Sequence, residues 1–259
     1  MSISTHHTWP AQTLCGVHER CVGNGNAIRI DFHVHTNGSP EGIHGLKEVI
    51  TQAKRVGLQG IAVTDHNRLL SRRMAAQLSK MHNFLVIGGI EGGDLVRRKN
   101  RPRDSHRHWI ALNIDTVPSG CDIGEITGAI RDQGGLSIAP HPFARNGFRN
   151  YDALRFDAVE SLNGTRRDGM IDAKGLARVG GTDAHTKYML GHTWTDVYGS
   201  NGSVDSILEN LRKGNCAPRG SQIPLRVIAR FYVSVLEKYL FREPYELLQT
   251  KGGQLRKHC

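Results

Sequence analysis

The sequence predicts an α/β chain folded as a closed or nearly closed (β/α) barrel with a helical extension at its C-terminal end. Three observations predict it. Apolar strand-like runs alternate with helix-patterned segments from residue 27 onward. The connections are short, as expected for parallel strands joined by crossover helices. About seven such strands fall within about 190 residues, the scale of a closed or nearly closed barrel. An open doubly wound sheet is the structural alternative.

The elements follow in order. Residues 1–26 lack periodicity, contain Gly23-Asn24-Gly25, and read as a poorly ordered leader. Residues 27–215 form the barrel. Ala27–His35 is a buried strand, and Leu46–Arg55 is a helix stopped at Gly57. Gly60–His66 is the second strand, Ser71–Met81 a helix, and Phe84–Glu91 the third strand. RRKNRPRDSHRH, residues 97–108, is a basic surface loop. His108–Ile114 resumes the strand pattern, and helix Ile123–Gln133 ends at Gly134-Gly135 before strand Leu136–His141. Ala158–Leu162 and Val179–His185 are further strands, with a helix at Ile171–Arg178 between them. Thr193–Tyr198 precedes helix Val204–Lys213. Residues 216–259 form a helical segment packing on the barrel: Pro218, Gly220 and Pro224 mark a break, then Leu225–Leu248 is helical, interrupted at Pro244. Its stripe of Val227, Ile228, Phe231, Val235, Leu236 and Leu240 faces the barrel or, as the sharper option, a second copy of the chain.

Bulk properties exclude some classes. The chain has 259 residues, 38% of them hydrophobic, and no apolar run of about 18 residues that would span a membrane. The start lacks the basic-then-apolar order of a secretory signal, so a cytoplasmic setting is expected. Five scattered cysteines argue against a disulfide framework. Cys15, His18 and Cys21 resemble half of a zinc site without its second pair, and read as part of a loose tail. A formal net charge of +10 favours an anionic partner, such as a phosphate ester, nucleotide or nucleic acid.

Five short motifs carry chemistry. In Asp31-Phe32-His33-Val34-His35-Thr36, residues two apart share a strand face, so His33 and His35 can chelate one ion. Thr64-Asp65-His66 ends the second strand, where barrel enzymes keep their sites. Glu91 ends an apolar strand, where a carboxylate is costly to bury unless it is paired or metal-bound. His108 opens a strand, and His141 stands between Pro140 and Pro142, which restrict its backbone. Gly181-Thr182-Asp183-Ala184-His185 again places an acid and a histidine two apart. More ligands than one ion needs argue for several ions. Arg145 and Lys187, which follow two of the motifs, are candidates for holding a substrate phosphate.

Together DFHVHT (31–36), GIAVTDHN (60–67), GIEG (89–92), His108, APHPF (139–143), SLNG (161–164) and GTDAHT (181–186) resemble the PHP superfamily, named for polymerase and histidinol phosphatase domains. The resemblance implies a distorted (β/α)7 barrel and a phosphoesterase centre of two or three divalent ions (manganese, zinc or iron). It implies that His33, His35, Glu91 and Asp183 hold one ion, and Glu91, His108 and His141 a second, with Glu91 bridging. His66 and His185 would hold a third. In some relatives a Ser-Asp-Gly loop completes that third site. Here the loop reads Ser39-Pro40-Glu41-Gly42, with Glu41 as the substitute. Asp65 would ligate or orient a ligand. His33, Glu91 and Asp183 would be central to catalysis, through water activated on the ions. The implied substrate is a nucleotide, a short oligonucleotide or a small phosphomonoester, so the resemblance implies a phosphatase or a nuclease such as an exonuclease; the polymerase role is not expected at this length. An amidohydrolase-type enzyme and a non-catalytic phosphate-binding domain are the alternatives.

Overall fold

A computed structural model of the protein describes residues 27–93 and 106–241. The expected leader with Cys15, His18 and Cys21, most of the basic loop, and the helix beyond Phe241 with Pro244 lie outside the described residues.

One sheet contains β1 (Ile28–Val34), β2 (Gly60–Val63), β3 (Leu85–Gly92), β4 (Trp109–Leu112), β5 (Leu136–Ala139), β6 (Ala158–Asn163), β7 (Ala177–Gly181), β8 (Thr193–Val197) and β9 (Cys216–Gly220). Its order is β7-β6-β5-β4-β3-β2-β1-β8-β9. The sheet curls until β7 meets β1 and β8. Asp183 N donates to His33 O at 2.9 Å, and Gly180 N donates to Thr195 Oγ1 at 2.8 Å. The result is the nearly closed α/β barrel expected.

Strand direction departs from expectation. β1, β2 and β3 pair in parallel, as do β5, β6 and β7. β4 is antiparallel to both neighbours, and β8 is antiparallel to β1 and β9. The sequence between Glu91 and His108 reads as a basic loop without helical spacing, and a parallel return needs a crossover. β9 also replaces part of the expected C-terminal helical segment. It stands last in the strand order, where Pro218 costs no central ladder bond.

Helices α1 (Leu46–Arg55), α2 (Arg72–His82), α3 (Ile123–Asp132) and α4 (Val204–Arg212) stand where periodicity places them. Ser71, Asp122 and Ser203 cap α2, α3 and α4 by accepting from Met74 N, Glu125 N and Ser206 N. Each such cap is worth about 1 kcal/mol. The expected helix at 171–178 does not form. Lys174 (φ 49°) and Gly175 (φ 89°) are left-handed, which stops a right-handed helix, and β7 begins at Ala177.

The core is layered. Phe32, Ile87, Ile110, Leu112 and Ile138 pack together in one cluster. Val49, Ile50 and Ala53 of α1 pack with Ile61, Val63 and Val86 in another. Helix α5 (Leu225–Phe241) sets Val227, Ile228 and Phe231 against that second cluster. Lys238 Nζ donates to Pro40 O and Gly42 O at 2.8 and 2.6 Å. Leu236 and Leu240, expected in the buried stripe, are instead 59% and 67% exposed. No described helix is long and apolar enough to cross a membrane. Of the described cysteines, Cys216 is a free thiol and Cys121 is disulfide-bonded.

Candidate metal centre

The centre forms where strand ends gather at one rim. β1 delivers His33 and His35, and the turn after β2 delivers Asp65 and His66. β3 delivers Glu91, and the turns after β5 and β7 deliver His141, Asp183 and His185. His108 precedes a strand rather than ending one. Because β4 runs against β3, with Trp109 opposite Gly92, its start lies at the same rim as Glu91.

Glu91 is buried at the middle. Its Oε2 lies 3.3 Å from both His33 Nε2 and His35 Nε2, and 3.0 Å from His66 Nδ1. Its Oε1 lies 2.8 Å from His108 Nδ1 and 3.1 Å from His141 Nε2. Asp183 Oδ1 is 3.5 Å from His33 Nε2 and 3.4 Å from His35 Nε2. His33 Nε2 and His35 Nε2 are themselves 3.0 Å apart. His35, His66 and His185 make a further close trio.

These rings are oriented from behind. His33 Nδ1 faces Glu160 Oε1 at 3.1 Å. A carboxylate only accepts, so Nδ1 carries the proton and Nε2 turns its lone pair to the centre. Ser39 Oγ donates to Asp65 Oδ1 at 2.8 Å and lies 2.9 Å from His35 Nδ1. Its single proton is spent on Asp65, so His35 Nδ1 must donate, and Nε2 again faces inward. Glu160 Oε2 also accepts from His141 N at 2.8 Å and from Asn163 Nδ2 at 2.9 Å. Asn163 Oδ1 accepts from Thr165 Oγ1 at 2.7 Å, and Thr165 Oγ1 lies 3.1 Å from Asp183 Oδ2. His141 (φ 25°) and Asp183 (φ 54°) have left-handed backbones, the kind of local strain that is held at functional sites.

The electrostatics match a centre built for cations. Burial pushes His33 down, but Asp183, Glu160 and Glu91 outweigh it and hold it well above the ordinary histidine range. His35 is raised to about 9 by Asp183 and Glu91 against the same burial. Burial, and then the charge of His35, lowers His185 to about 4. His66 is lowered chiefly by burial. Burial opposes ionisation of Glu91 and Asp183, yet the surrounding imidazoles hold both well below the usual carboxylate range. Glu91 Oε2 lies beside three imidazole nitrogens but accepts no well-directed hydrogen bond. Convergent imidazole and carboxylate atoms, with a buried oxygen left short of protons, fit divalent ions.

Four expected residues stand apart. Asp65 spends both oxygens on protein donors: Thr36 N and Ser39 Oγ reach Oδ1, and Thr36 Oγ1 reaches Oδ2. It therefore orients His35 through Ser39 instead of joining a ligand group. Glu41 belongs to no ligand group either; its Oε2 is buried without a hydrogen bond. Lys187 is paired with Glu48 at 2.9 Å, and Arg145 is exposed. Sequence reasoning missed Glu160. The signal was present, since a glutamate inside the apolar run of β6 is as costly to bury as Glu91.

The PHP domain model matches residues 31–113, and the PHP-associated model matches residues 168–216. The uncharacterized protein MJ1587 of Methanocaldococcus jannaschii is 29% identical over 170 residues, 59% of this chain and 91% of that one. A DNA polymerase III PolC-type of Staphylococcus epidermidis is 37% identical over 96 residues, 34% of this chain and 7% of that one. A two-domain Bacteroides vulgatus protein, containing a predicted PHP-like metal-dependent phosphoesterase, is similar in structure. Its TM-score is 0.60 at 18% identity, over 87% of this chain and 75% of that one.

Proposed function

We propose that this chain, which carries a PHP domain, is a metal-dependent phosphoesterase that hydrolyses a nucleotide, a short oligonucleotide or a small phosphomonoester. One observation carries the reading: five imidazole nitrogens surround the two oxygens of Glu91 at 2.8–3.3 Å. His33, His35, Glu91 and Asp183 would hold one ion, and Glu91, His108 and His141 a second. His35, His66 and His185 offer a third position without Glu41. Such ions supply water activation and neutralise charge that grows on the phosphoryl oxygens.

The protein's own groups do the rest. Glu160 and Ser39 keep protons on the outer nitrogens of His33 and His35, so their inner lone pairs stay directed. His66 and His185, held below the ordinary range, are neutral at neutral pH and have lone pairs free without losing a proton. Asn163 and Thr165 connect Glu160 to Asp183, so ligands from β1 and the turn after β7 are set against one another.

The test is phosphate release, with added manganese, across nucleotides, oligonucleotides and sugar phosphates. Asp183→Ala and His33→Ala should each abolish release. Full activity in both variants would refute the assigned centre.

A further inference from the structure

Beside the centre lies a cavity of about 450 Å³ lined by Thr186, Tyr188, Arg226, Val227, Arg230, Phe231 and Ser234. It adjoins the ligand cluster directly. Thr186 follows His185 in the chain, and the Phe231 ring centroid is 5.6 Å from that of His185. Five of these seven residues come from α5, which neither family model reaches. Nothing in the PHP match therefore assigns the cavity a role.

Its chemistry is one-signed. Two guanidinium groups line it, and no aspartate or glutamate does. Lys187 contrasts with them, since Glu48 already pairs with it at 2.9 Å. The Arg230 guanidinium lies over the Tyr188 ring, 5.2 Å from its centroid, which restrains it beside the opening. The charge of Arg226 is felt nearby: His192 is held below its ordinary value by burial first and by Arg226 second. The hydroxyls of Thr186 and Ser234 add neutral donors. A concave wall of two guanidiniums and two hydroxyls, without an acid, suits an oxyanion, which guanidiniums bind through paired charge-assisted hydrogen bonds.

We propose that this cavity is a second anion-binding subsite, where Arg226 and Arg230 hold a phosphate or carboxylate that the substrate carries away from its scissile ester. The role in substrate choice rests on the phosphoesterase reading above; the anion site itself does not. It narrows the substrate to phosphate esters with a second negative group, in preference to monoesters of neutral alcohols. Without the cavity, the centre would treat both kinds alike.

Two experiments on the full chain separate the claims. In the first, metal-free protein is titrated calorimetrically with inorganic phosphate, comparing the parent with the double variant Arg226→Gln, Arg230→Gln. Both side chains are exposed, so the fold should persist, which circular dichroism checks. The expected result is affinity weakened about tenfold or more. Unchanged affinity in a folded double variant overturns the subsite, whether or not the chain hydrolyses anything. In the second, manganese-loaded protein is given phenyl phosphate, 4-carboxyphenyl phosphate and 1,4-phenylene bisphosphate. The parent should show a KM about tenfold lower for whichever doubly anionic ester matches the cavity, which tells carboxylate from phosphate. The double variant should lose that preference while its constants for phenyl phosphate stay unchanged. An equal loss on all three esters, or no preference in the parent, overturns the role in substrate choice.

Discussion

At the residue scale the centre allows few proton positions. His33 and His35 present nitrogens 3.0 Å apart, so two protons cannot face each other there without strong repulsion. A divalent ion removes the conflict by taking both lone pairs. This gives metal affinity a pH dependence of definite sign. In the metal-free centre the neighbouring carboxylates favour holding a proton between His33 and His35, the latter raised to about 9. A binding ion must displace protons, so apparent affinity rises with pH toward about 9 and falls as pH drops. Manganese titrations at about pH 6 and about pH 8 should differ by tenfold or more, with tighter binding at the higher value. Equal affinities would contradict the proton assignment. Glu160→Gln tests the support behind the ring. It should weaken manganese binding by about 10- to 100-fold while the fold stays intact by circular dichroism. The candidate ligands were legible in the sequence because each stands at the end of an apolar strand as a His, Asp or Glu. The supporting groups were less legible: Ser39, Asn163 and Thr165 are ordinary turn residues whose partners lie far away in sequence. Asp65 was placed at the right end of the barrel, but adjacency in sequence did not tell that Thr36 and Ser39 would use both its oxygens.

At the element scale the barrel depends on close approach between β7 and β1. A Cβ on Gly181 would sit 2.5 Å from His33 Cβ and 2.8 Å from Glu160 Oε1, inside van der Waals contact with both. Gly181→Ala should destabilise the fold by about 1–3 kcal/mol, seen as a lower melting temperature, and should also weaken metal binding by tilting His33. Gly128, within α3, has nothing within 4 Å of its would-be Cβ. Gly128→Ala should therefore raise stability by about 0.5–1 kcal/mol, since alanine loses less conformational freedom in a helix. Opposite signs at the two positions separate packing from propensity; a loss at both would mean that helix α3 is packed more tightly than its surroundings indicate. Most elements followed from periodicity, within a residue or two at their ends. The segment 171–178 did not, because Ile171, Ala173 and Leu176 supply enough apolar spacing to mimic a helix while Lys174 and Gly175 turn left-handed. The reversal of β4 explains why a histidine at the start of a strand stands beside residues from the ends of others.

At the scale of the whole molecule, one curled sheet brings residues 150 positions apart within 3.5 Å of each other, as His33 and Asp183 show. The surplus positive charge was legible from composition, but its concentration in a cavity on α5 was not, because that cavity exists only where the helix crosses the rim. The central claim is that Glu91 joins at least two ions. Its most direct test is the metal content of the folded chain after incubation with manganese and removal of excess, measured for the parent and for Glu91→Gln by elemental analysis. The account predicts more than one ion per parent chain and loss of more than one from the single substitution. A parent that retains less than one ion, or a folded Glu91→Gln that keeps its full complement, would contradict it.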